Sequence, residues 1–121
     1  MDISNQFPRP INTPTAEHYV WGANCDGWHL VKQATLSVIE ELMPRGASEV
    51  RHHHLYAQQF FYILGGELTL EVEGREYSLG PGDGIEVRPG LKHHAINRSD
   101  AEVRMLVISQ PPSHGDRVVC G

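Results

Sequence analysis

From Glu17 onward, Gly, Pro and Asn cut the chain into short apolar segments, and none of these keeps a 3.6-residue apolar period for the length of a helix. The segments that read as strands are 17–23, 28–33, 34–43, 49–54, 58–65, 67–73, 75–79, 84–88, 92–97 and 102–109. In 67–73, Leu68, Leu70 and Val72 alternate with Thr69, Glu71 and Glu73, a strand with one wet face. In 84–88, Ile85 and Val87 alternate with Glu86 and Arg88. Glu73-Gly74-Arg75 suits a tight hairpin, and Gly80-Pro81-Gly82-Asp83-Gly84 is a turn. The fold class is therefore all-β, and short strands at this spacing fit a jelly-roll barrel.

A chain of 121 residues supports one core, not two. Residues 1–15 carry Pro8, Pro10 and Pro14 and read as an irregular arm; 16–110 form the barrel; 111–121 are a polar C-terminal tail. Segment 58–65 is apolar on both faces, with Phe61 and Ile63 on one and Phe60, Tyr62 and Leu64 on the other. A second layer, either an outer sheet or another subunit, must cover that outer row, and a homodimer is expected.

The net charge of −5, with Lys and Arg scattered, argues against nucleic acid as a partner. No apolar run approaches the roughly 20 residues that span a membrane. The N-terminus has no basic start and no apolar core of a signal peptide, so a cytoplasmic location is expected. Cys25 and Cys120 lie at opposite ends and read as unpaired, reduced thiols, a disulfide between them being the lesser alternative.

Of eight histidines, five fall in two groups, His52-His53-His54 and His93-His94. On a strand His52 and His54 share a face and His53 points away, so two imidazoles at i and i+2 can converge on one ion. A third nitrogen must come from His93 or His94, and strand phase alone does not choose between them. Imidazole donors suit Mn, Fe, Zn, Ni or Cu rather than Ca or Mg.

Gly46 to Gly66 has Gly, five residues, His-x-His, a short gap, a ligand position, six residues and Gly. Gly82 to Asn97 has Gly, seven residues ending in Pro89, then Gly90, two residues, His93, three residues and Asn97. These two motifs resemble those of the cupin superfamily, in its small single-domain form. The resemblance covers roughly residues 34–109 and implies a double-stranded β-helix. It also implies a divalent metal, Mn, Zn or Fe first and Ni or Cu next, held by His52, His54, Gln59 and His93. Two positions depart from the family pattern: Gln59 stands where Glu is usual, and Arg88 where Pro is usual. Gln58 also fits the permitted gap, but only Gln59 leaves six residues before Gly66.

Tyr56, beside the motif, is a candidate proton donor or acceptor at the metal mouth. Arg51, Gln58, Arg88 and Asn97 also adjoin the ligand positions. Tyr19, Trp21, Trp28 and His29 fall where N-terminal strands of cupins pass the entrance, and packing is the expected role of both tryptophans. The resemblance implies a small metalloenzyme acting as a Lewis acid on an oxygen-bearing small molecule, of dioxygenase, isomerase or cyclase type. The alternative is a cupin that binds or senses a metal or small ligand without turnover.

Overall fold

The computed structural model describes residues 7–120 and contains strands but no helix among them. The strands are β1 (Glu17–Trp21), β2 (Cys25–Lys32), β3 (Ser37–Met43), β4 (His52–His53), β5 (Gln58–Gly65) and β6 (Leu68–Val72). They continue as β7 (Arg75–Leu79), β8 (Gly84–Val87), β9 (His93–Ile96), β10 (Val103–Gln110) and β11 (Val118–Val119). One sheet runs β1-β2-β3-β10-β5-β8, the other β11-β4-β9-β6-β7, and every pairing is antiparallel.

The core lies between the sheets. Met43, Phe61, Ile63 and Met105 from the first meet Leu68, Leu70, Leu79 and Ala95 from the second. Full burial of each large side chain contributes about 1.5–3 kcal/mol of transfer free energy. Alternation places these residues: in β5, Gln59, Phe61 and Ile63 are buried while Phe60, Tyr62 and Leu64 are each about two-fifths exposed. The outer apolar row anticipated for this strand is therefore open in the single chain. At the end of β5, Gly66 has φ +80, and a Cβ there would stand 2.4 Å from the Glu102 carbonyl oxygen. The close approach of the β10 entry to this turn thus requires glycine.

Several boundaries differ from the sequence expectation. β2 starts at Cys25 rather than 28, and a turn occupies 33–36, closed by the Gln33 N–H on the Leu36 carbonyl. Segment 49–54 narrows to His52–His53, with Ser48 making only an isolated bridge to Ile96. The polar tail is docked rather than loose. It returns to the barrel, and Val118 and Val119 pair with His53 and His52. Residues 7–15 of the arm form no strand, and the rest of the arm lies outside the described residues. Cys25 and Cys120 are free.

Candidate metal centre

Strand register brings the two histidine groups together, because His52 of β4 is paired with His93 of β9. His54 follows β4 on the same face, and all three rings are buried, 4%, 4% and 1% exposed. One ring nitrogen of each lies within 4.8 Å of the others. The other two histidines point away: His53 Nδ1 faces the Cys120 sulfur at 3.8 Å, and His94 Nδ1 lies 3.3 Å from the Glu71 carboxylate.

Each clustered ring has one nitrogen already committed. His52 Nδ1 meets the Val50 carbonyl at 2.7 Å, His54 Nδ1 the Asp116 carbonyl at 2.7 Å, and His93 Nδ1 the Leu91 carbonyl at 2.9 Å. A carbonyl only accepts, so each Nδ1 carries the proton and each Nε2 presents a lone pair. Burial pushes His52 down to about 3, against the opposing effect of its Val50 hydrogen bond. Burial likewise lowers His54 and His93. The three rings are therefore neutral at neutral pH, and His54 Nε2 is buried without a hydrogen-bond partner.

Gln59 arrives from the opposite sheet. Its strand position faces Ser109 of β10, and its Nε2 donates to Ser109 Oγ at 3.1 Å. That bond turns Oε1 toward His93 Nε2, 3.2 Å away. Two acceptors therefore face each other across that gap with no proton between them. Donors on neighbouring positions of one ion at about 2.1 Å stand about 3.0–3.4 Å apart, so this spacing suits a shared cation. The buried, unpartnered His54 Nε2 and the facing acceptors fit a divalent transition metal bound by three imidazoles and one amide oxygen. Gln58, by contrast, is exposed on the outer face beside Gln110.

The cavity above this cluster measures about 270 Å³ and is lined by His52, His54, Gln59, Tyr19, Trp21 and Phe61, among others. Trp21, expected to serve packing, thus also faces the cavity, with its indole N–H held by the Asp26 carbonyl at 3.1 Å. Trp28 lies on the outer side of the sheet under the Arg104 guanidinium. The Tyr56 side chain is 72% exposed and does not line the cavity. Asn97 is a buried pin: its amide nitrogen reaches the carbonyls of Met43, Pro44 and Ala101. Arg51 pairs with Glu71, and Arg88 is exposed beside Glu86.

Sequence reasoning missed two further groups. Asp116 in the tail accepts the backbone N–H groups of Leu55, Tyr56 and Ala57, each at 2.9 Å, while its carbonyl holds His54. The tail thereby completes the support of one histidine, and its Ser113, His114, Gly115 and Arg117 form part of the cavity wall. Glu41 and Glu49 also line the cavity. The available signal for Glu41 was strand phase, since it falls on the same face of β3 as buried Ile39 and Met43.

Comparison with known proteins agrees with this architecture. Quercetin 2,3-dioxygenase of Bacillus subtilis is 36% identical over 74 residues, which are 61% of this chain and 22% of that protein. The tetracenomycin polyketide synthase protein TcmJ of Streptomyces glaucescens is 30% identical over 71 residues, 59% of this chain and 47% of its own. The chain thus spans less than half the length of either relative. The polyketide cyclase RemF of Streptomyces resistomycificus superposes with a TM-score of 0.75 at 18% identity, covering 88% of this chain and 83% of that one. Residues 38–109, which contain all four inward-facing donors, match the Cupin domain, and the chain belongs to that family.

Proposed function

We propose that this chain is a metal-dependent cupin enzyme that polarises an oxygen of a small organic ligand. His52, His54, Gln59 and His93 would hold the ion, with Mn, Zn or Fe the first candidates and Ni or Cu next. When bound, such an ion supplies Lewis acidity toward a carbonyl, enol or phenol oxygen. The observation that carries the reading is the set of bare acceptors. Three Nε2 lone pairs and the Gln59 Oε1 converge while every Nδ1 is fixed by a carbonyl.

The surrounding residues serve the same chemistry. Backbone carbonyls fix the tautomers, so the ligand set is pre-oriented. Tyr19, Trp21 and Phe61 give the cavity an aromatic wall suited to a flat ligand. One relative is named a quercetin 2,3-dioxygenase, and the reaction proposed here is of dioxygenase, isomerase or cyclase type.

Elemental analysis of protein purified without added metal, paired with oxygen-consumption assays on small enols and phenols, tests the reading. His52→Ala, His54→Ala and His93→Ala are expected to lose most of the metal, and His53→Ala and His94→Ala to keep it. Full metal retention in the His52→Ala/His54→Ala double variant sinks the ligand set.

A further inference from the structure

We propose that Glu41 is the proton-transfer residue of this cavity, taking a proton from and returning it to an enolisable ligand held at the histidine cluster. The proposal rests on the metal-enzyme reading above. It begins with a position that should be apolar. Glu41 lies on the inward face of β3 in phase with Ile39 and Met43, yet it ends in a carboxyl group. It lines the same cavity as His52, His54 and Gln59. Among the described residues no donor hydrogen-bonds to that carboxyl and no cation pairs with it within salt-bridge distance. An unpaired carboxyl at an inward strand position that opens on a cavity instead of packed core is a candidate for chemistry.

The neighbourhood leaves Glu41 open toward the cavity. Its cross-strand partner on β2 is Gly27, whose own partner on β1 is Tyr19. The Tyr19 ring lies over Gly27 so closely that a Cβ there would stand 2.3 Å from its Cζ and 2.7 Å from its hydroxyl. On the other side Glu41 pairs with apolar Met105 of β10. The charged and titratable groups acting with it are Tyr19 on β1, Cys25 on β2, Glu49 before β4 and Arg117 in the tail. Glu49 is anchored, accepting the Ala95 N–H at 2.9 Å, and Arg117 is held to the Val50 carbonyl at 3.2 Å. The same cavity is lined by His54, whose buried, unpartnered Nε2 belongs to the donor set of the metal reading.

Burial, reinforced by the Glu49 charge and opposed by Arg117, pushes Glu41 up to about 8. Burial raises Glu49 to about 7, against its Ala95 hydrogen bond and Arg117. Near neutral pH both protonation states of Glu41 are then accessible, as a group that both takes and gives a proton requires. In the step, a C–H bond beside a ligand carbonyl breaks and an O–H bond forms on the carboxylate. The electron pair stays on the ligand as an enolate. Return of the proton to another carbon or to oxygen regenerates the carboxylate, so no oxidant or reductant is consumed.

The test uses hydroxyacetone in D₂O with metal-loaded protein, following deuterium wash-in by NMR. Glu41→Gln is expected to slow wash-in by about 100-fold or more while metal content and hydroxyacetone affinity hold. Glu41→Asp, which keeps the carboxyl, should recover part of the rate. Glu49→Gln should move the pH profile of the exchange toward lower pH. Exchange by Glu41→Gln within about threefold of the parent overturns the proposal, as does a parent that binds hydroxyacetone without exchanging it. A metal-free measurement separates this from the metal reading. Folding raises the Glu41 value, so the folded state holds more protons and parent stability falls as pH rises from 4.5 toward about 8. Glu41→Gln should flatten that decline in thermal denaturation. A parent that retains no metal refutes the metal reading, and an unchanged pH dependence in metal-free Glu41→Gln refutes the proposal for Glu41 itself.

Discussion

Replacing Gln59 by Glu tests whether the amide is a choice of charge or only of shape. With three neutral imidazoles and a neutral amide, the ion would keep its full +2 charge, whereas a carboxylate at position 59 halves it. The size of the effect follows from the spacing of neighbouring donors, of which Gln59 Oε1 and His93 Nε2, 3.2 Å apart, are an example. An anionic ligand oxygen bound beside position 59 would meet the new carboxylate at about 3 Å, a repulsion of about 5 kcal/mol at an effective dielectric of about 20. A dielectric twice as large, as for a more solvated pair, leaves about 2–3 kcal/mol, or about 30- to 150-fold in affinity. Metal affinity should hold or tighten, because a carboxylate is the better ligand. Isothermal titration of oxalate or acetohydroxamate into metal-loaded Gln59→Glu and parent protein measures the anion affinity, and elemental analysis measures the metal content. Affinities within about threefold of each other, with metal content equal, refute the charge argument and leave Gln59 a geometric stand-in.

Asp116→Ala should cost about 1–3 kcal/mol in denaturant unfolding, since three backbone N–H groups lose a charged acceptor and two of those bonds are solvent-exposed. The Asp116 value is low because the N–H bonds of Tyr56, Ala57 and Leu55 together outweigh the effect of burial, which acts upward. Its contribution is accordingly full above the ordinary aspartate value of 3.8 and lost as pH falls through the lower folded value, and Asp116→Ala should be indifferent to that window. The row of Phe60, Tyr62 and Leu64, about two-fifths exposed on the outer face of β5, is expected to be covered in a homodimer. Multi-angle light scattering should give twice the chain mass, reverting to the monomer in Tyr62→Lys, and a parent that stays monomeric at micromolar concentration counts against the interface.

What could be read from the sequence, and what could not, divides along the range of the forces involved. The shared face of His52 and His54 was legible from strand phase, whereas the choice of His93 over His94 and of Gln59 over Gln58 came from the motif spacing of the cupin resemblance. The structure keeps that phase, with Gln59 inward and Gln58 outward. The docking of the tail was not legible, for the opposite reason. Its anchor is one carboxylate, Asp116, bonding to backbone about 60 residues earlier, and no local pattern announces such a contact. Glu41 lies between these cases. The Glu40-Glu41 doublet breaks alternation in β3, so one of the two had to face inward. The ion pair of Glu40 with Arg104 places Glu40 outside and leaves Glu41 within. Whether an inward position meets packed core or open cavity depends on both sheets and the tail, and no single strand contains that information. Below it on the same face Met43 is sealed at 0% exposure, while Glu41 opens on the cavity that the tail walls. The residue that looks most out of place along its own strand is thus in place only relative to elements distant in the chain. For that reason an inward-facing carboxylate is a stronger pointer to chemistry than any of the exposed polar residues that flank the motifs.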